Sequence, residues 1–165
     1  MPNWVENKLT IDGPATVLKD LWDAIHHENR FLSYIVPRPK TPLYGNIDTK
    51  GELARNWAYE NWGTKWEIDF SDSSTKFKFQ KRPNGRVKIT GQFDSANGPP
   101  VQALDTFFQK AIKSKRVALN VDLVYCDYGS FIGRYTNGTC EQYPIDHNEY
   151  FPRCEKVNAL LDLLN

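Results

Sequence analysis

An α+β sandwich, built from an antiparallel sheet with two main helices on one face, is the fold class this sequence predicts. Three observations carry it. Two amphipathic helical stripes, at residues 15–28 and after Pro99-Pro100, each follow a separate stretch of strand-like alternation. Two alternating runs, KFKFQ and RVKITGQF, flank Pro83-Asn84-Gly85, and Asn-Gly between such runs is the strongest short hairpin signal. A further alternating run, Val117 to Tyr125, comes after the second helix and leads through Phe131–Tyr135 into another Asn-Gly turn at Asn137-Gly138.

The elements follow in order. In WVENKLTI, Val5, Leu9 and Ile11 share one face while Glu6, Lys8 and Thr10 share the other, the period of a half-buried strand. Gly13-Pro14 then opens a helix whose Val17, Leu18, Leu21, Trp22 and Ile25 recur at helical spacing. Residues 36–49 carry three prolines and a glycine, which predicts a long loop. Leu53 and Trp57 mark a short helix from Glu52 to Asn61, with Gly63 as its left-handed exit. From Trp66 the period turns to two, so Trp66, Ile68 and Phe70 are expected to begin a core-facing strand with Lys65, Glu67 and Asp69 opposite. Phe77, Phe79, Val87 and Ile89 point inward in the hairpin. The second main helix presents Val101, Leu104, Phe107, Phe108, Ala111 and Ile112. A last helix is expected after Pro152, with Val157, Leu160, Leu161 and Leu164 as its stripe, docked on this chain in preference to a second copy.

Two long helices after separate strands follow the split β-α-β logic of a ferredoxin-like sandwich. The expected organisation is one ferredoxin-like domain over residues 1–145, with a loop and short-helix insertion at 36–62, and a helical extension at 146–165. One face of the sheet is expected to be open.

Composition narrows the function. The chain has 165 residues, 40% hydrophobic and 25% charged, and its 21 basic against 20 acidic side chains give a net charge of +1. A polyanion partner would therefore need a local basic patch, since the global field is negligible. Cys126, Cys140 and Cys154 lack the paired spacing of structural zinc and are odd in number, so free thiols in a reducing cytoplasm are expected. The charged start MPNWVENKLT does not resemble a signal peptide, and no run nears the ~20 apolar residues of a membrane span. A cytoplasmic location follows.

MPNWVENKLTIDG and ENWGTKWEIDF resemble the YubB ferredoxin-like family of phage- and plasmid-borne proteins, and the similarity extends over most of residues 1–140. Val5 stands where that family usually has cysteine, and Asp94-Ser95-Ala96-Asn97-Gly98-Pro99-Pro100 replaces its typical Thr-Ala-Trp-Ser-Pro-Pro. The resemblance implies the fold and a mobile-element setting, and it carries no catalytic activity with it.

No catalytic or metal set emerges from the residues. His26-His27 are adjacent near a helix end, whereas helical metal pairs need ligands three or four positions apart. His147 sits in the polar stretch IDHNEY, and Glu67 with Asp69 read as a hydrated strand face. A phosphate loop of the Gly-Lys-Ser/Thr kind is missing. Trp62, beside Asn61, Thr64 and Lys65, has two readings: packing beneath the 36–49 loop, or an aromatic wall with Trp4 nearby, where a base would stack and a phosphate would meet the ammonium. The open face would collect Lys8, Lys65, Lys76, Lys78, Arg86 and Lys88, of which Lys76, Lys78, Arg86 and Lys88 are candidate phosphate or nucleic-acid contacts. Strand aromatics mostly take the core parity, unlike those of RNA-recognition sheets.

These readings converge on a non-enzymatic, cofactor-free accessory protein of a phage or mobile element. Its expected mode is binding: sequestration of a nucleotide-derived defence signal or inhibition of a host defence protein, with pairing through the last helix as an oligomer route. The rival expectation is a nucleic-acid-binding module on the basic sheet face.

Overall fold

The computed structural model describes residues 2–39, 51–115, 118–145 and 155–165. Its central strand, β1 (Trp4–Pro14), buries Val5, Asn7, Leu9, Ile11 and Gly13 alternately, as its period of two requires. α1 (Ala15–Glu28), α2 (Leu32–Ile35) and α3 (Glu52–Asn61) follow, then the hairpin β2 (Lys76–Lys81) and β3 (Arg86–Ala96), then α4 (Val101–Lys115). β4 (Asn120–Asp127), β5 (Phe131–Thr136), β6 (Thr139–Pro144) and α5 (Glu155–Leu164) complete the order. The sheet runs β2-β3-β1-β4-β5-β6 with every pairing antiparallel. Its first four positions have the split β-α-β arrangement of a ferredoxin-like sandwich, and β5-β6 extend it beyond β4.

Both Asn-Gly turns form as the sequence predicts. Asn84 and Gly85 have φ of 59° and 69°, and Asn137 and Gly138 have 49° and 90°, the paired positive values of a hairpin turn that twists with its strands. α1 lays Val17, Leu18, Leu21, Ala24 and Ile25 on the sheet, and Asn29 closes it at φ 51° with its N–H on the Ala24 carbonyl. α4 contributes Ala103, Leu104, Phe108 and Ala111 to the same core, while Ile112, expected in that stripe, lies 40% exposed beyond it.

The expected strand at 66–70 is absent, and its parity is corrected. Trp66 is 41% exposed whereas Trp62 is 1% exposed, so the first tryptophan of ENWGTKW is the buried one. Side chains in this segment bond to backbone elsewhere. The Glu67 carboxylate accepts the N–H groups of Leu32 and Ser33 at 2.8 Å each, capping α2, and Asp69 accepts from Ser71. Local bonds of this kind displace a strand ladder. Ile68 nevertheless reaches the core, at 4% exposure.

A second correction concerns the open face. α5 crosses β4 and β5 on the side away from α1 and α4, burying Val157, Leu160 and Leu164 against Val124, Cys126 and Ile132. Half of that face is therefore covered by the chain's own last helix, and among the described residues nothing packs over the half formed by β2, β3 and β1. The loop at 40–50, the start of the predicted 117–125 strand, His147, Pro152 and Cys154 lie outside the described residues. Among the described residues no helix is long and apolar enough to cross a membrane.

Candidate phosphate-binding face

The bare half of the sheet is organised by register. Lys76 lies opposite Gln92, Gln92 opposite Lys8, and in the next row Lys78, Thr90 and Thr10 line up. All six side chains share one face because strand residues alternate and the three strands are in phase. They line a groove of about 250 Å³ together with Leu9 and Gly91. Gly91 matters for the strand beneath the groove: a Cβ there would stand 2.6 Å from the Phe77 ring, so the ring packs close against the strand on its core side.

The face carries carboxylates too, and two of them are occupied. Asp122, next to Thr10 in register, accepts from Arg134 Nε at 2.7 Å and Nη2 at 3.0 Å. Asp12 accepts from Arg86 Nε at 2.9 Å and Nη2 at 2.5 Å, with Arg82 Nε 3.8 Å away. Arg134 grips Asp122 bidentately, one donor to each oxygen, whereas both Arg86 donors share Asp12 Oδ1. The ion pairs among the described residues involve arginines, and Lys8, Lys76 and Lys78 have no carboxylate within 4.0 Å among those residues. Three ammonium groups with two hydroxyls and an amide around one groove form an acceptor-poor, donor-rich surface. It suits an anion.

One end of the face has a different character. Glu6 accepts the Tyr128 hydroxyl at 2.6 Å and lies opposite Asp94 in register. Asp94 is held above the ordinary carboxylate range, first by burial and then by the charges of Glu6 and Asp72. The Tyr128 hydroxyl is pushed far up, chiefly because it donates to Glu6. Trp4 and Tyr128 flank this acidic end at 52% and 53% exposure. Trp4 has the strand parity of Glu6 and Lys8, so one exposed aromatic occupies the sheet face.

Among the described residues, the side chains expected around Trp62 are engaged in packing and hydrogen bonds. Its indole Nε1 donates to the Val36 carbonyl at 2.9 Å, its ring meets Trp57 edge-on at 5.3 Å, and the Arg38 guanidinium lies 4.6 Å from its centroid. Thr64 is fully buried with its hydroxyl on the Ala96 carbonyl, and Asn61 donates back to Trp57 within its own helix. The Lys65 ammonium sits 4.3 Å over the Trp66 ring. ENWGTKW is thus a packing joint between α3 and the β3–α4 junction. Of the expected phosphate contacts, Lys76 and Lys78 line the groove, Arg86 is clamped on Asp12, and Lys88 pairs with Gln80 and Asp12 in register, outside the groove. Thr10, Thr90 and Gln92 were not singled out from sequence. Their signal was the parity they share with Lys8, readable only once the pairing of β1 with β3 is known.

Among the described residues no group of three or more His, Cys, Asp or Glu is placed to hold a metal ion. His26 stacks on Trp22 with centroids 5.2 Å apart. Comparison with protein-family models, with curated proteins and with solved structures gives no match to this chain.

Proposed function

We propose that this chain acts by binding, as an accessory protein of a phage or mobile element that captures a phosphate-bearing, nucleotide-like ligand on the uncovered half of its sheet. The observation that carries the reading is the set Lys8, Lys76 and Lys78. They surround one groove without carboxylate partners among the described residues, while the neighbouring acids Asp12 and Asp122 are already taken by Arg86 and Arg134. Charge-assisted bonds from ammonium groups favour phosphate oxygens, and Thr10, Thr90 and Gln92 add neutral donors. In a host cell such capture would remove a nucleotide-derived defence signal. Inhibition of a host defence protein through the same face is the corresponding protein-directed form.

A second reading, a single-stranded nucleic-acid module, is favoured by Trp4 and Tyr128, whose exposed rings offer stacking surfaces at the end of the same face. Isothermal titration of a nucleoside triphosphate and of a short single-stranded oligonucleotide, across a range of salt, decides between the two. Capture of a small ligand gives tighter binding of the nucleotide. A strand engaging three lysines gives tighter binding of the oligonucleotide with a log–log salt slope of about −2. Absence of binding to either, or binding that survives loss of Lys8 and Lys78, would overturn the assignment of this face.

A further inference from the structure

A second cavity, of about 400 Å³, opens on the opposite side of the sheet, between α1 and the β2–β3 hairpin. Ala15, Trp22, Phe79 and Val87 supply its apolar surface, and Lys19, Lys81, Arg82 and Arg86 contribute to its lining. Trp22 and Phe79 stand 5.3 Å apart at 38°, and the stack of Trp22 on His26 orients the indole. Asp23 is the one carboxylate among the lining residues, and Asp12 engages Arg86 and Arg82 from outside. With both acids counted, the cavity keeps a surplus of positive charge. Its volume falls in the ~300–1,000 Å³ range of small-molecule sites.

We propose that the cavity between α1 and the β2–β3 hairpin binds a small aromatic anion, its ring against Trp22 and Phe79 and its acidic group toward Lys19 and Lys81. Charge complementarity and the aromatic wall select this class together. An inorganic anion gains nothing from the two rings, and a neutral aromatic gains nothing from the lysines. The site is independent of the lysine groove: Phe79 and Val87 point to the helix side, while Lys88, on the rung between them, and Lys78, one rung beyond Phe79, point to the other.

Phenyl phosphate titrated into the ¹⁵N-labelled full chain tests this by NMR, with the Trp22 indole resonance assigned through Trp22→Phe. The expected result is saturable movement of that indole and of the amides from Lys81 to Val87. Inorganic phosphate and benzyl alcohol should each bind about tenfold or more weakly, and Lys19→Glu with Lys81→Glu should cost phenyl phosphate about tenfold in affinity. Thermal unfolding of the double variant, unchanged, would show that the loss is local. An unmoved Trp22 indole would overturn the proposal. So would benzyl alcohol binding equally well, or the charge reversal having no effect. Shifts confined to Lys8, Lys78 and Thr90 would assign the anion to the sheet groove alone and equally overturn it.

Discussion

Gly63 and Gly98 meet backbone to backbone: a Cβ built on Gly98 would lie 2.5 Å from the Gly63 carbonyl oxygen. The contact brings the ENWGTKW segment onto the end of β3. Lys65 N–H and the Thr64 hydroxyl then both reach the Ala96 carbonyl, at 3.0 and 2.9 Å, and Ala103 N–H reaches the Trp62 carbonyl. Gly63 itself has φ +89°, which an L side chain rarely adopts. Gly98→Ala should therefore destabilise by about 1–3 kcal/mol, because neither backbone can yield. Gly51→Ala, with nothing among the described residues within 4 Å of the added methyl, should cost about 1 kcal/mol from its positive φ alone. Urea denaturation of the two variants checks the contrast, and equal losses would refute the close approach.

The two tryptophans of that segment should separate sharply. Trp62→Ala removes a ring that is 1% exposed together with its bond to Val36, and should cost about 3–5 kcal/mol. Trp66→Ala removes a 41% exposed ring whose noted partner is the Lys65 ammonium, and should cost about 1 kcal/mol or less. Chemical denaturation measures both. The alternation around Trp66 instead predicts a loss of about 3–5 kcal/mol there, and a loss of that size would restore that reading.

What could be read from the sequence follows the strength of local signals. β1, α1, the β2–β3 hairpin and α4 are written in unbroken periodicity and Asn-Gly turns, and they form as predicted. The 66–70 segment misled because alternation is only half of a strand. Glu67 and Asp69 spend their oxygens on α2 and on Ser71, and among the described residues no strand pairs with this backbone. The docking of α5 was foreseen, yet the surface it takes, Val124, Cys126 and Ile132, was hidden in β4. The alternation assigns Val121, Leu123 and Tyr125 to the core, but the strand buries Val124 and Cys126 on its other face as well. The groove was half legible: lysines announce themselves, but the arginine clamps on Asp12 and Asp122 that leave them unpaired depend on long-range register.

Lys8→Ala with Lys78→Ala should weaken phosphate-ligand binding about tenfold or more while leaving stability within ~0.5 kcal/mol. Both side chains are solvated at the groove and make no ion pair among the described residues, so their loss breaks nothing in the fold. Titration calorimetry beside urea denaturation reads both quantities. Lys88→Ala, outside the groove, is the matched control and should leave binding unchanged.

Asp94 should make the protein less stable as pH rises. Burial, Glu6 and Asp72 all raise its pKa above the ordinary 3.8, so the folded state holds its proton longer than the unfolded chain does. The stability this supplies is complete below 3.8 and is lost as pH climbs through the raised value. Asp94→Asn should therefore be more stable than the parent at neutral pH, with the advantage vanishing below about pH 3.8. Denaturation midpoints of both proteins across this range measure it. An advantage that persists at low pH would mean the effect is not electrostatic.

Deleting Glu155–Asn165 should expose a patch the chain otherwise covers itself. A helix of ten residues is marginal alone, so α5 is held by Val157, Leu160 and Leu164 on Val124, Cys126 and Ile132. The net loss should be about 2–4 kcal/mol, since burial is offset by the entropy of ordering the segment. It should not depend on protein concentration, whereas a helix paired with a second copy would give a concentration-dependent mass that truncation abolishes. Cys126 reports on the same contact. Its thiol is pushed up from 9.0 to about 11, first by burial and then by the charges of Glu6 and Asp127. The unfolded chain thus loses its proton earlier, and this contribution to stability, complete below 9, is lost between 9 and about 11. In the full-length protein at pH 8, iodoacetamide should modify exposed Cys140 and spare Cys126. In the truncated protein Cys126 should react as well, with mass spectrometry of the peptides locating the adduct. Equal protection of Cys126 with and without the helix would refute the docking of α5 on this face.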